Sequence, residues 1–220
     1  MLSKNIEILI ISGHGGNDSG AVYGKMIERD MNLICSTALY EELKLRGYKV
    51  DYEWNNGDVN YEYSISHNYD LVISVHFNSG GGNGFECFCN LRNKETVAIC
   101  KAIEKRVIEF GQNSRGIKSG DKLKMVGSVK GNAILLEGGF IDNSLDSKLF
   151  DEERELKKLG QAYAHGIMDY FGDNPINKPS EKPTGVYRVV VGSYSIKSNA
   201  LEMQKKLKDK GFDSFLVFTK

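Results

Sequence analysis

No run of about 20 apolar residues, the length that crosses a bilayer, occurs in this 220-residue sequence. Membrane insertion is therefore not expected. Net charge is missing too. The 29 basic and 29 acidic side chains cancel, which removes any long-range pull toward nucleic acid or an anionic membrane surface. No nucleic-acid partner is expected. The four cysteines, Cys35, Cys87, Cys89 and Cys100, lack paired metal-binding spacing. Cys87 and Cys89 would share one face of a strand, too close for ordinary disulfide geometry, so reduced thiols are expected. Proline is scarce: Pro175, Pro179 and Pro183 all fall within residues 173–185, a linker by composition. The N-terminus lacks the small-residue cleavage site of a secretory signal, because residues 1–12 turn directly into a glycine loop.

The hydrophobic content of 40% suffices for one substantial domain and a small appendage. Apolar residues 6–12 read as a strand that empties into Gly13-His14-Gly15-Gly16. Residues 28–46 carry helical periodicity ended by Gly47, and residues 49–54 alternate as a strand. A polar, tyrosine-rich stretch at 59–68 is expected to be helical, ahead of a strand at 71–79. The glycine-rich loop 80–84 is expected to be mobile, and a short strand follows at 85–89. Residues 94–110 predict a helix burying Val97, Ile99, Cys100, Ile103, Val107 and Ile108. Residues 115–129 read as irregular and basic, and 133–137 as a central strand apolar enough to be buried on both faces. A helix at 151–171 ends the main unit. Alternating strands and helices predict a three-layer α/β sandwich with a mostly parallel central sheet. The expected organisation is a catalytic domain at 1–172, the linker at 173–185 and a small βαβ module at 186–220, with strands at 187–191 and 215–218 around a helix at 199–210.

Chemistry gathers where the strands stop. In an open α/β sheet, ligands bind outside the carboxyl ends of the strands, and three such ends deliver His14, His76 and Glu137. Hydrolytic zinc sites commonly use two histidines and one carboxylate, leaving a position for water. His14 and His76 supply the imidazoles. Glu28, at the start of the first long helix, is the expected carboxylate ligand to a single Zn²⁺. Asp18 more naturally braces its own turn, and Asp30 points about 200° around the helix from Glu28. Glu137 follows four apolar residues, so poor solvation should raise its proton affinity and suit it to general acid–base work. Asn78 is expected to contact substrate, or alternatively to brace its turn. Glu86 could line the site or sit on a solvent face, the latter slightly favoured. His67 and His165 lack this setting and read as structural.

Four segments, Ser12-Gly13-His14-Gly15-Gly16-Asn17-Asp18-Ser19-Gly20-Ala21 with Glu28, Ser74-Val75-His76-Phe77-Asn78, Gly84-Phe85-Glu86, and Leu136-Glu137-Gly138-Gly139-Phe140-Ile141-Asp142-Asn143, together resemble the zinc-dependent N-acetylmuramoyl-L-alanine amidases of the Amidase_3 type. The resemblance runs from about residue 6 to 171. It implies zinc held by His14, Glu28 and His76, a catalytic Glu137, and peptidoglycan as substrate, cut between muramic acid and the first alanine of the stem. Arginines that family members often carry after the second strand are replaced here by Glu53-Trp54-Asn55-Asn56-Gly57, so substrate contacts there do not carry over. The tail, from Tyr187-Arg188-Val189-Val190-Val191-Gly192 to Gly211-Phe212, resembles the first half of a SPOR domain, a module associated with glycan-strand binding. One βαβ unit is too small to fold readily alone, which predicts a homodimer through this tail. The modular layout and the N-terminus predict a phage or prophage endolysin that stays in the host cytoplasm until release, a host autolysin of the same chemistry being the alternative. A noncatalytic wall-binding protein and a peptidase that cuts within the stem are the other readings.

Overall fold

The computed structural model describes residues 5–54, 56–173, 192–212 and 214–218. The chain divides into two compact units, residues 1–178 and 179–220. In the first, β1 (Glu7–Ser12), the two-residue strands β2 (Val22–Tyr23) and β3 (Met26–Ile27), and α1 (Glu28–Leu45) are followed by β4 (Lys49–Glu53), α2 (Val59–Ser66), β5 (Leu71–Asn78) and β6 (Phe85–Cys89). Then come α3 (Lys94–Phe110), β7 (Ser114–Ser119), α4 (Lys124–Gly127), β8 (Asn132–Phe140), α5 (Ser144–Leu149) and α6 (Glu153–Tyr170).

Six strands form one sheet in the order β4-β1-β5-β8-β6-β7. Neighbours run parallel except β6 against β8. Alternate side chains leave a strand on opposite faces. One face places Ile8, Ile10, Ile73, Val75, Phe77, Phe85 and Leu136 in a buried cluster beneath α1, α3 and α6. The other buries Leu9, Ile11, Val72 and Ala133 against Met125 of α4, with Tyr63 and Ile65 of α2 packed on them. The three layers expected from the sequence are present.

The helix signals carry physical causes. α3 begins where the Asn93 side chain accepts from the Glu95 and Thr96 amides and stops at Gly111, whose φ of 109° lies in the left-handed region. Its buried face is Thr96, Ile99, Cys100, Ile103 and Val107, whereas Ile108, expected inside, is 54% exposed. All four cysteines are buried free thiols.

Other expectations are corrected. Residues 115–129 are not irregular throughout, since they hold most of β7 and all of α4. β8 continues to Phe140, through Gly138 and Gly139. At loop 80–84, Asp142 accepts from the Gly80 and Gly81 amides, and Asp146 from the Gly84 amide.

In the second unit, α7 (Lys197–Asp209) matches the expected helix, and it has no buried residue. Residues 215–218 are not a strand, and the strand expected at 187–191 lies outside the described residues. Among the described residues, no helix is long and apolar enough to cross a membrane.

Candidate metal centre and active site

The loop after β1 is built to present one imidazole. His14 has φ 62°, the one non-glycine among the described residues in the left-handed region, a conformation costing roughly 1–2 kcal/mol. Several bonds hold it there. The Gly13 amide donates to the Val75 carbonyl at 2.9 Å, extending the β1–β5 ladder, and buried Asn32 of α1 donates to the Gly13 carbonyl at 2.8 Å. Asp18 accepts from the Gly20 amide and contacts His14 Nδ1 at 2.7 Å. That bond leaves His14 Nε2 facing inward.

Glu28, the first residue of α1 and 5% exposed, meets it there. Its Oε2 accepts from the Ala21 amide at 2.9 Å, which aims Oε1 at His14 Nε2 and His76 Nδ1, each 3.1 Å away. The other nitrogen of His76 lies 3.1 Å from Ser74 Oγ. One ligand atom from each of His14, Glu28 and His76 falls within 4.8 Å of the others. Donors at 2.0–2.1 Å around a tetrahedral ion sit about 3.3 Å apart, so the 3.1 Å separations suit one small divalent cation. Carboxylate and hydroxyl partners behind each imidazole are what metal-binding histidines use to fix their rings.

Electrostatics support this geometry. Its hydrogen bond to Glu28 pushes the His14 imidazole up to about 9. Burial alone would raise the Glu28 carboxyl, but the hydrogen bonds from His14 and His76 hold it well below the ordinary carboxylate range. The cluster therefore attracts positive charge. Glycines make the space for it. A Cβ on Gly13 would overlap the His76 ring, and one on Gly20 would come within 2.6 Å of His14 and 2.7 Å of Glu28.

Glu137 lies opposite His76 in the β5–β8 register. Its Oε2 is sealed from solvent and has no hydrogen-bond partner. Burial first, and then the charges of Glu28 and Glu86, push its carboxyl up to about 8. An acid poised near neutrality beside a metal site can exchange protons with a reacting group.

Asn78 donates from Nδ2 to Glu86 at 3.3 Å and accepts from the Ser79 amide at 2.8 Å, so its side chain supports both its own turn and Glu86. Glu86 is not on a solvent face; it is 3% exposed and paired with Arg115 and Lys118. Asp18 braces the loop, and Asp30 instead pairs with Arg29. His67 packs edge-on against Tyr63 and His165 lies near Glu42, both outside the cluster. Sequence reasoning missed Asp146, 1% exposed, which accepts from the Gly84 and Phe140 amides and from Asn83 and Gln112. Its signal was the short cap at Asn143, three residues earlier, that starts α5.

An α/β sheet that brings two histidines and a glutamate from its strands and their loops together with a glutamate from the start of α1 belongs to the class of hydrolases built around a single candidate metal site. More narrowly, the chain belongs to the N-acetylmuramoyl-L-alanine amidase family Amidase_3, which matches residues 8–169. Its reaction is hydrolysis of the amide between N-acetylmuramic acid and L-alanine in peptidoglycan. The SPOR domain family matches residues 153–218. That match begins within α6, a helix packed on α1 and α3 in the first unit.

The chain is similar to the sporulation-specific N-acetylmuramoyl-L-alanine amidase of Bacillus subtilis (27% identity over 222 residues, 96% of this chain and 84% of the relative). It is also similar to the endolysin of Bacillus phage SPP1, with 30% identity covering 82% of this chain and 73% of the relative. Among solved structures, Cwp6 from Clostridium difficile superposes with a TM-score of 0.70 and 29% identity, covering 76% of this chain and 29% of that one.

Proposed function

We propose that the amidase is zinc-dependent, with His14, Glu28 and His76 as the protein ligands to one ion and Glu137 as the residue that moves protons. The observation carrying this reading is the gathering of the three ligand atoms within 4.8 Å. When bound, zinc supplies a Lewis acid that polarises a carbonyl and brings the acidity of water near neutrality. Glu137 then takes the proton from the attacking water and delivers it to the departing alanine nitrogen, because an amine leaves poorly unless protonated. Burial suits it to both halves of that task. Asp18 and Ser74 hold the two rings in orientation.

The test is mass spectrometry of purified peptidoglycan after digestion. Stem peptides with a free L-alanine amino terminus are expected, and their loss on chelation and return with zinc. Cleavage only within the stem, or digestion indifferent to chelator, would contradict the reading.

For the biological role we propose wall lysis by an endolysin held in the host cytoplasm until release, supported by the similarity to the phage SPP1 endolysin. A second reading, a host sporulation amidase, is favoured by the Bacillus subtilis similarity, which extends over 96% of the chain and so into the tail. Expression timing separates them: prophage induction for the first, sporulation for the second. The SPOR region would hold peptidoglycan strands, and we infer that the tail self-associates.

A further inference from the structure

The polar row of the active site does not end at Glu137. In the sheet register His76 of β5 faces Glu137 of β8, and Glu137 faces Glu86 of β6. Glu86 is a buried carboxylate with two cations, receiving Arg115 Nε at 2.6 Å and Lys118 Nζ on the same oxygen. One cation would neutralise it. The second leaves an excess positive charge beside an otherwise acidic site.

Arg115 is the more telling of the two. Its side chain is 40% exposed, and its guanidinium lies over the Phe140 ring at 5.1 Å from the centroid. Only Nε donates to Glu86; among the described residues no hydrogen bond uses the Nη1 and Nη2 groups. A guanidinium fixed by Nε and an aromatic face keeps a planar fork of donors that fits a carboxylate two-pronged.

We propose that Arg115, positioned by Glu86, forms a subsite for a free carboxylate on the stem peptide, at the second or third residue beyond the scissile amide. This rests on the amidase reading. Reach sets the position. From β5 to β6 is two strand spacings, about 10 Å, and an extended peptide covers about 3.3–3.6 Å per residue, so about three residues span the distance. Lys118, 37% exposed and beside the Phe88 ring, adds charge to the same rim.

The experiment uses the full chain with zinc and two pairs of synthetic muramoyl peptides, each pair differing only by carboxylate or carboxamide, at the second residue in one and the third in the other. Wild type should favour the acid at one of these positions by about tenfold or more in kcat/KM, the size of one charge-assisted hydrogen bond. Arg115→Gln should bring that acid-to-amide ratio close to one, mainly through KM, and Arg115→Lys should keep part of it. A ratio near one for wild type at both positions overturns the subsite. So does an Arg115→Gln variant that slows both members of a pair equally, the signature of a residue that only neutralises Glu86. Were wild type to leave the muramoyl–alanine bond intact in all four peptides, the amidase reading would fall and the subsite with it.

Discussion

His14 in its metal-free form holds a proton where the ion would sit, and this has a measurable consequence. With its imidazole raised to about 9 by Glu28, a zinc ion binding there would have to displace one proton at neutral pH. Apparent zinc affinity should therefore rise about tenfold per pH unit between pH 7 and 9 and then flatten, as read by competition with a chelator of known affinity. An affinity flat across that range would contradict the arrangement. Glu137 gives a second residue-scale test. Its carboxyl goes from 4.5 to about 8 on folding, so the folded state binds the proton more tightly. Its contribution to stability is complete below pH 4.5 and is lost as pH rises toward 8. The slope is at most about 1.4 kcal/mol per pH unit. Glu137→Gln should remove that loss, so the metal-free variant gains on wild type progressively from pH 5 to 8 in denaturant melts. In the loaded enzyme, Glu137→Ala should retain zinc and lose about 10² to 10⁴ in rate. At this scale the sequence was informative: four apolar residues before one glutamate foretold the poor solvation. Glu86 was misjudged because the Arg115 and Lys118 that bury it come from a strand about 30 residues away, and no local pattern reports such pairing.

At the scale of elements, the loop after β1 matters most, because its glycines are shaped around the ligands. Gly13→Ala should push the His76 ring out of line and lower zinc occupancy after dialysis while leaving the fold, read by circular dichroism, intact. Full occupancy in that variant would show the loop to be looser than described. Strands buried on both faces were plain as apolar runs, notably β1 and β5. β7 was hidden: its Ser114-Arg115-Gly116-Ile117-Lys118-Ser119 offers one apolar residue, and it pairs with β6 through a register shift that no two-residue alternation conveys. In the tail the error ran the other way. Phe215, Leu216, Val217 and Phe218 have strand propensity yet are not in a strand, and propensity alone, much of it a matter of packing against neighbours, does not decide a strand.

At the scale of the whole molecule, the sheet order sets where function sits. β1, β5 and β8 run parallel and adjacent, so His14, His76 and Glu137 arrive at one edge from segments far apart in sequence, and α1 starts beneath them with Glu28. Parallel order was legible from the alternation of strands and helices; the reversed direction of β6, which brings Glu86 to the same edge, was not. The second unit exposes Phe212, Phe215, Val217 and Phe218, and α7 buries nothing. Self-association through this surface should give a mass near twice that of the chain by light scattering, and Phe215→Ser with Phe218→Ser should shift it toward monomer. A monomeric wild type at tens of micromolar would end that idea.

The proposed zinc chemistry requires above all that one ion be gripped by side chains from three distant segments. Anomalous diffraction at the zinc absorption edge, on crystals of the zinc-loaded full chain, tests this most directly. A single strong peak is expected within about 2.0–2.2 Å of His14 Nε2, Glu28 Oε1 and His76 Nδ1. An active enzyme whose crystals show no peak there, or a peak held by other residues, would contradict it.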